Sequence, residues 1–304
     1  MGAYIVRRLV AMVLMLVTLS MITFLLFNAL PADPALPEQY SAFVKGIFVG
    51  RTYGSGTATF ECDAPCLGYS FRKQAEVTDL IVDRLPVTGQ LALGAFVIWI
   101  VVGVSVGVVA ALKRGKWQDR TIMGAALTGY SFPSFFIALL LIFFVQLQLQ
   151  LIPFVSYTSL VDDPVAWFQA FILPWVALAM LYAAFYARLT RNQMIETMGE
   201  DYIRTARAKG LRERTVIGKH GLRAGLTPIV TAAGIDLSGL LGGAVITESV
   251  FNLPGLGKLS IDSVLDADLP VITAVVLVAA TFVIVANLVV DLLYAVIDPR
   301  VRLT

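Results

Sequence analysis

Charge-free, largely apolar runs divide the chain at 9–30, 85–112, 121–161, 164–187 and 269–290. Each reaches the roughly 20 residues an α-helix needs to cross a hydrocarbon core. A further run, 226–250, is broken only by Asp236 and Glu248. The run 121–161 is too long for one span. A helix is expected to about residue 147, and the remainder, QLQLQLIPFVSYTSL, alternates polar and apolar positions up to Pro153, which places it at the outer surface. The pattern predicts an all-α membrane protein with six spans, at 1–30, 86–112, 121–147, 168–190, 226–250 and 270–296. Residues 31–84 read as a small extracytoplasmic subdomain ahead of a core over 85–304, and 191–225 is the long loop between spans four and five.

Composition agrees: 58% of residues are hydrophobic and 14% charged, with a mean hydropathy of +0.81, far from a soluble domain. Charge then sets the orientation. Lysines and arginines gather at Arg7 and Arg8, in 113–120, in 188–223 and at Arg300 and Arg302, whereas the acids concentrate in the alternate loops. The positive-inside rule puts both termini and the 191–225 loop in the cytoplasm. The Arg7-Arg8 start resembles a signal peptide, but the uncharged run exceeds the usual h-region and no small-x-small cleavage site follows, so a retained first span is expected. Cys62 and Cys66, in ECDAPC, fall on the oxidising side; a disulfide is the leading reading and two unpaired thiols the alternative. The sole histidine, His220, lies across the membrane, which disfavours a metal site.

The cytoplasmic stretch EDYIRTARAKGLRERTVIGKHGLRAG, residues 200–225, carries its own helix signals. Asp201 suits an N-cap, Lys209 complements the negative end of the helix dipole, and Gly210 suits C′, so a two-turn helix is expected over 202–209. Tyr202, Ile203 and Ala206 share one face and Arg204 and Arg207 another. Such a helix is too short to stand alone in water, so it needs something to pack on. The alanine positions would let a partner come close. The competing reading is a solvated basic loop.

EDYIRTARAKGL followed by KHGLRAGLTPIV resembles the signature loop of the inner-membrane permease subunits of ABC importers, specifically the dipeptide, oligopeptide and nickel permease family. The likeness extends through NALPADPA, GYSFRKQAEVTDLIVDRLPVT, SFPSFFIALLLI, GGAVITESVFNLPGLGKLSIDSV and DLLYAVIDPRVR; within the family it is most similar to the dipeptide permease B-type subunit. The resemblance implies a type I importer permease fold in a bacterial inner membrane. It also implies a coupling helix seated on a cytoplasmic ATPase, whose contacts fall on Tyr202, Arg204, Thr205, Ala206, Arg207, Lys209, Gly210, Leu222 and Arg223. The implied partners are a second homologous permease, ATPase subunits or a fused ATPase, an extracytoplasmic substrate-binding protein and membrane lipid, with no nucleic acid. Two local departures are Ala32, where the family more often has glycine, and Gln90, where it often has glutamate.

No enzyme is expected. GLGK at 255–258 resembles a phosphate loop, but Asn252 and Leu259 stand where its first glycine and its Ser or Thr should be. ATP and Mg²⁺ are thus assigned to the partner ATPase and no cofactor to this chain. Acids inside spans are costly and mark pathways or helix contacts. Asp236 is a candidate counter-ion for a peptide's amino terminus, with a helix–helix hydrogen bond or a bound water as alternatives. Glu248, about 18 Å further along the helix, is read as a gate or binding-protein contact, with capping of the following loop as the alternative. Gly103-xxx-Gly107 and Gly239-xxx-Gly243 suggest close helix packing. Peptide import is the leading function. Import of nickel chelates, haem or another solute keeps the same architecture, and a self-sufficient secondary transporter would want repeated broken helices that the sequence does not display.

Overall fold

The computed structural model describes residues 2–28, 36–55, 58–241 and 244–297. Ala32, Gly243, Arg300 and Arg302 lie outside them. Helices dominate: α1 (Gly2–Asn28), α2 (Leu36–Val49), α3 (Val77–Leu112), α4 (Trp117–Ser131), α5 (Ser134–Leu141), α6 (Pro164–Thr197), α7 (Asp201–Ala208), α8 (Glu213–Thr215), α9 (Arg223–Leu241), α10 (Val245–Val250), α11 (Leu256–Leu265) and α12 (Leu269–Ile297). Two short antiparallel hairpins join them, β1 (Arg51–Ser55) with β2 (Ala58–Cys62) and β3 (Tyr69–Ser70) with β4 (Ala75–Glu76).

Among the described residues, α3, α6 and α12 are long and apolar enough to cross a membrane, and α4 with α5 adds a fourth crossing if that bent pair is one span. α1 is apolar over Val10–Leu25. Two of the expected continuous spans are interrupted. The helix expected over 121–147 breaks at Phe132-Pro133, and its two halves diverge by 101°. Proline lacks an N–H and disfavours the helical region in the residue before it, and Phe132 is accordingly extended (φ −91°, ψ 138°). Beyond α5 the chain continues as a π-helical stretch, Ile142–Gln148. The span expected over 226–250 is likewise two helices, α9 and α10, separated at Leu241-Gly242-Gly243-Ala244, where paired glycines lower helix propensity by about 1 kcal/mol each.

The chain forms two compact units, interleaved in sequence. The first comprises residues 1–89 and 238–288, plus 303–304. Its core joins Val77 and Ile81 of α3 to Leu256 and Leu259 of α11 and Val271, Ala274 and Val275 of α12. A second cluster packs Phe24, Phe43 and Leu277. The segment expected to be a separate subdomain therefore shares its core with helices nearly 200 residues later. Cys62 and Cys66 form a disulfide, both sulfurs buried, and Ser70 Oγ donates to the buried Asp268 carboxylate at 2.5 Å.

The second unit comprises 90–237 and 289–302. Here the Gly103-xxx-Gly107 pair lets α3 lie directly on α6. A Cβ at Gly103 would stand 2.7 Å from Tyr186 Cβ, and one at Gly107 2.6 Å from the Ala187 carbonyl. Both distances are below any ordinary contact, so only glycine fits.

Candidate coupling surface and membrane-embedded acids

α6 ends at Thr197, and the chain turns at once into α7. Asp201, expected as the N-cap, is instead the first helical residue. The carbonyl of Glu200 accepts from the N–H groups of Ile203 and Arg204, so the ladder begins one residue earlier than expected and no side chain caps it. Asp201 still favours the positive end of the dipole. At the other end Lys209 is the C-cap, and Gly210 adopts φ +76°, the left-handed geometry that glycine permits at C′.

The faces of α7 are arranged differently from the expectation. Ile203 and Ala206 are buried against Val216 and Met198 of the same chain. Apolar side chains with an internal partner leave water in preference to waiting for an external one. Ala206 is thus a root that holds α7 to the protein. Tyr202, Arg204, Thr205, Arg207 and Lys209 form the exposed surface. Arg207 donates to both oxygens of Glu213, at 2.7 and 3.3 Å, folding the loop after α7 back onto it. That hydrogen bond lowers the Glu213 pKa and raises that of Arg207. From α8 the backbone enters a π-helical stretch, Val216–Leu222, and passes without a gap into α9 at Arg223. Leu222 is half-buried and Arg223 exposed. Gly221 lies where a Cβ would meet Met198 Sδ at 2.9 Å. α7 is therefore packed on the end of α6 and covalently continuous with α9.

Asp119, which the sequence reading did not single out, anchors the same end of the second unit. It precedes the apolar run of α4, and its carboxylate takes two hydrogen bonds from Arg191, at 2.5 and 2.8 Å, and one from the Gly115 N–H at 2.9 Å. The Arg191 guanidinium, with help from the Gly115 amide, holds its pKa down at about 2. A signal was present: Asp119 is the lone acid in a basic loop and the only acid between Asp83 and Asp162.

Deeper in the second unit, Asp236 on α9 accepts a 2.7 Å hydrogen bond from the Tyr186 hydroxyl on α6. Trp99 of α3 stacks on Tyr182 and Tyr186 at 4.5 and 6.2 Å between ring centroids. Asp236 is half-buried beside this aromatic group and already makes one helix–helix bond.

Glu248, in the first unit, is fully buried. Thr88 Oγ1 donates to it at 2.8 Å and the Lys258 N–H at 2.9 Å, while the same threonine oxygen accepts from the Leu256 N–H at 2.8 Å. The carboxylate and Thr88 together satisfy amides in the first turn of α11, as a capping group must. The GLGK segment wraps this acid. A Cβ at Gly255 would lie 2.4 Å from its carboxylate, so close wrapping, not phosphate binding, accounts for that glycine. Asp236 and Glu248 belong to different units.

Membrane-crossing helices linked by a short rooted helix that presents a polar surface define a polytopic permease. Among solved structures, the fold is similar to that of the MetNI methionine ABC transporter in inward facing conformations, with a TM-score of 0.59, 21% identity, and 73% of this chain and 97% of that one covered. Residues 103–303 match the model of the binding-protein-dependent transport system inner membrane component, and 1–38 and 35–92 match the N-terminal model of such membrane components. The chain belongs to this family. It is 38% identical over 312 residues to a Brucella abortus protein named as a peptide transport system permease, covering 99% of each. Against the dipeptide transport system permease of Escherichia coli K12 it is 36% identical over 333 residues, and against a glutathione transport system permease of another E. coli strain 37% over 311, with 98% of each chain covered.

Proposed function

We propose that this chain is one permease subunit of an ATP-driven importer of di- and oligopeptides, with both termini in the cytoplasm. A second, homologous permease completes the pathway as a heterodimer, ATPase subunits or a fused ATPase bind at α7, and an extracytoplasmic binding protein delivers the peptide. The names of the relatives support a peptide cargo; glutathione is itself a tripeptide.

The observation that carries the reading is the division of α7 into a buried root and an exposed polar surface. Ile203 and Ala206 fix it to Met198 and Val216, so a push on Tyr202 or Arg204 is delivered to α6 and α9 without slack. Asp236, which bridges those same two helices through Tyr186, is placed to respond to their separation and remains the candidate group for a substrate ammonium.

The test uses the complex purified with its own partners and reconstituted in vesicles. Tyr202→Ala combined with Arg204→Glu should abolish uptake of labelled dialanine while the melting temperature of the subunit stays within a few degrees of wild type. Wild-type uptake that survives a catalytically dead partner ATPase would overturn the reading.

A further inference from the structure

A groove of about 370 Å³ runs between α4 and α6 in the second unit. The Asp119–Arg191 pair shows that the two helices run in opposite directions there. Met123, Leu127 and Tyr130, on one face of α4, oppose Phe185 of α6, and Arg188 and Asn192 lie at the end nearest α7. Leu127, Tyr130 and Phe185 are all exposed. The groove is thus apolar along its length and cationic at one end. The two arginines there differ. Arg191 is committed to Asp119, whereas Arg188 is exposed and has no ion pair among the described residues.

We infer that this groove binds an anionic phospholipid, its phosphate on Arg188 and an acyl chain laid along Met123, Leu127, Tyr130 and Phe185. Arg188 is the first charged residue after the apolar run 164–187, which puts it at headgroup depth. Basic pockets between membrane helices on the cytoplasmic side take acidic headgroups. A helix from another subunit would have to place a carboxylate at that depth to satisfy the same arginine, and burying one in a span is costly; a lipid phosphate resides there already. The assignment to the inner leaflet rests on the proposed orientation, but binding itself does not. The lipid would connect α4 to the part of α6 that carries α7.

The test is photo-crosslinking in the intact complex, in nanodiscs containing a trace of photoactivatable phosphatidylglycerol or, separately, phosphatidylcholine. Both leaflets carry the probe, so the outcome is independent of orientation and of cargo. The phosphatidylglycerol probe should label the peptide containing 184–192. Arg188→Gln should reduce that labelling about fivefold, the effect expected for one surface cation, and Leu127→Trp, which fills the groove, should reduce it further. Arg114→Gln, a cytoplasmic cation outside the groove, should leave it unchanged. Equal labelling by the two probes, or equal loss in Arg188→Gln and Arg114→Gln, would overturn the proposal. So would a photoreactive residue at position 127 that crosslinks to the partner permease and not to lipid.

Discussion

Replacing Asp119 by asparagine removes one charge from a pair that is 5% exposed on the aspartate side and 21% on the arginine side. A carboxyl held at about 2, where an ordinary aspartate titrates at 3.8, corresponds to about 2 kcal/mol at 1.36 kcal/mol per pH unit. Losing one partner of a fully buried pair costs about 3–5 kcal/mol. Partial solvation of Arg191 screens the interaction, so we expect a loss of about 2 kcal/mol for Asp119→Asn and a coupling of about 1 kcal/mol with Arg191→Gln. The measurement is a double-mutant cycle by reversible denaturant unfolding in detergent micelles, repeated across pH. The carboxyl pKa is depressed in the folded state. Its contribution is therefore fully present above the unfolded value near 4 and disappears as the pH falls toward 2. Wild type should lose stability more steeply than Asp119→Asn over that interval. Additive single variants, with coupling within about 0.3 kcal/mol, or parallel pH profiles for the two proteins, would refute the reasoning.

Two further outcomes concern the helix contacts and the buried cap. Gly107→Leu drives a side chain into the Ala187 carbonyl and Thr190 and should cost at least the roughly 1–3 kcal/mol of an overpacked core, read as a lower melting temperature; Gly89→Ala, in the same helix with open space around it, should change stability by under about 0.5 kcal/mol. Glu248→Ala leaves the Thr88 hydroxyl and the Lys258 amide without their acceptor, an unpaired-group penalty of about 1–3 kcal/mol, and hydrogen exchange at the Lys258 amide should rise about tenfold or more.

The sequence was most legible where one local rule decides the outcome. Gly210 has no competitor for a left-handed C′ position, and the α3 glycines needed only a helix of ordinary dimensions to pack against. It misled where two local rules compete. Residues 121–147 are apolar enough for one span, but Pro133 sits inside that run, and hydropathy averaged over a window carries no information about a missing N–H. At α7 the amphipathic face was visible in Ile203 and Ala206; that it would close on Val216, ten residues beyond Ala206, was not, because helical periodicity does not continue through a turn. Asp119 and Thr88 depend on partners 72 and 160 residues away, separations at which sequence pattern is silent without the fold.

The π-helical stretch between α8 and α9 sets the rotational phase of everything after it. Each wide turn inserts a residue relative to α-helical spacing, so the side-chain directions of α9 cannot be counted back from the loop in steps of 3.6. Removing one residue from Val216–Leu222 to restore α-helical spacing would swing α9 by about 100° and draw it back by about 1.5 Å. Asp236 would then turn away from the Tyr186 hydroxyl. The face that this span offers to its surroundings is thus dialled in by seven residues at its cytoplasmic end, and an insertion or deletion there acts as a rotation and not as a change of loop length.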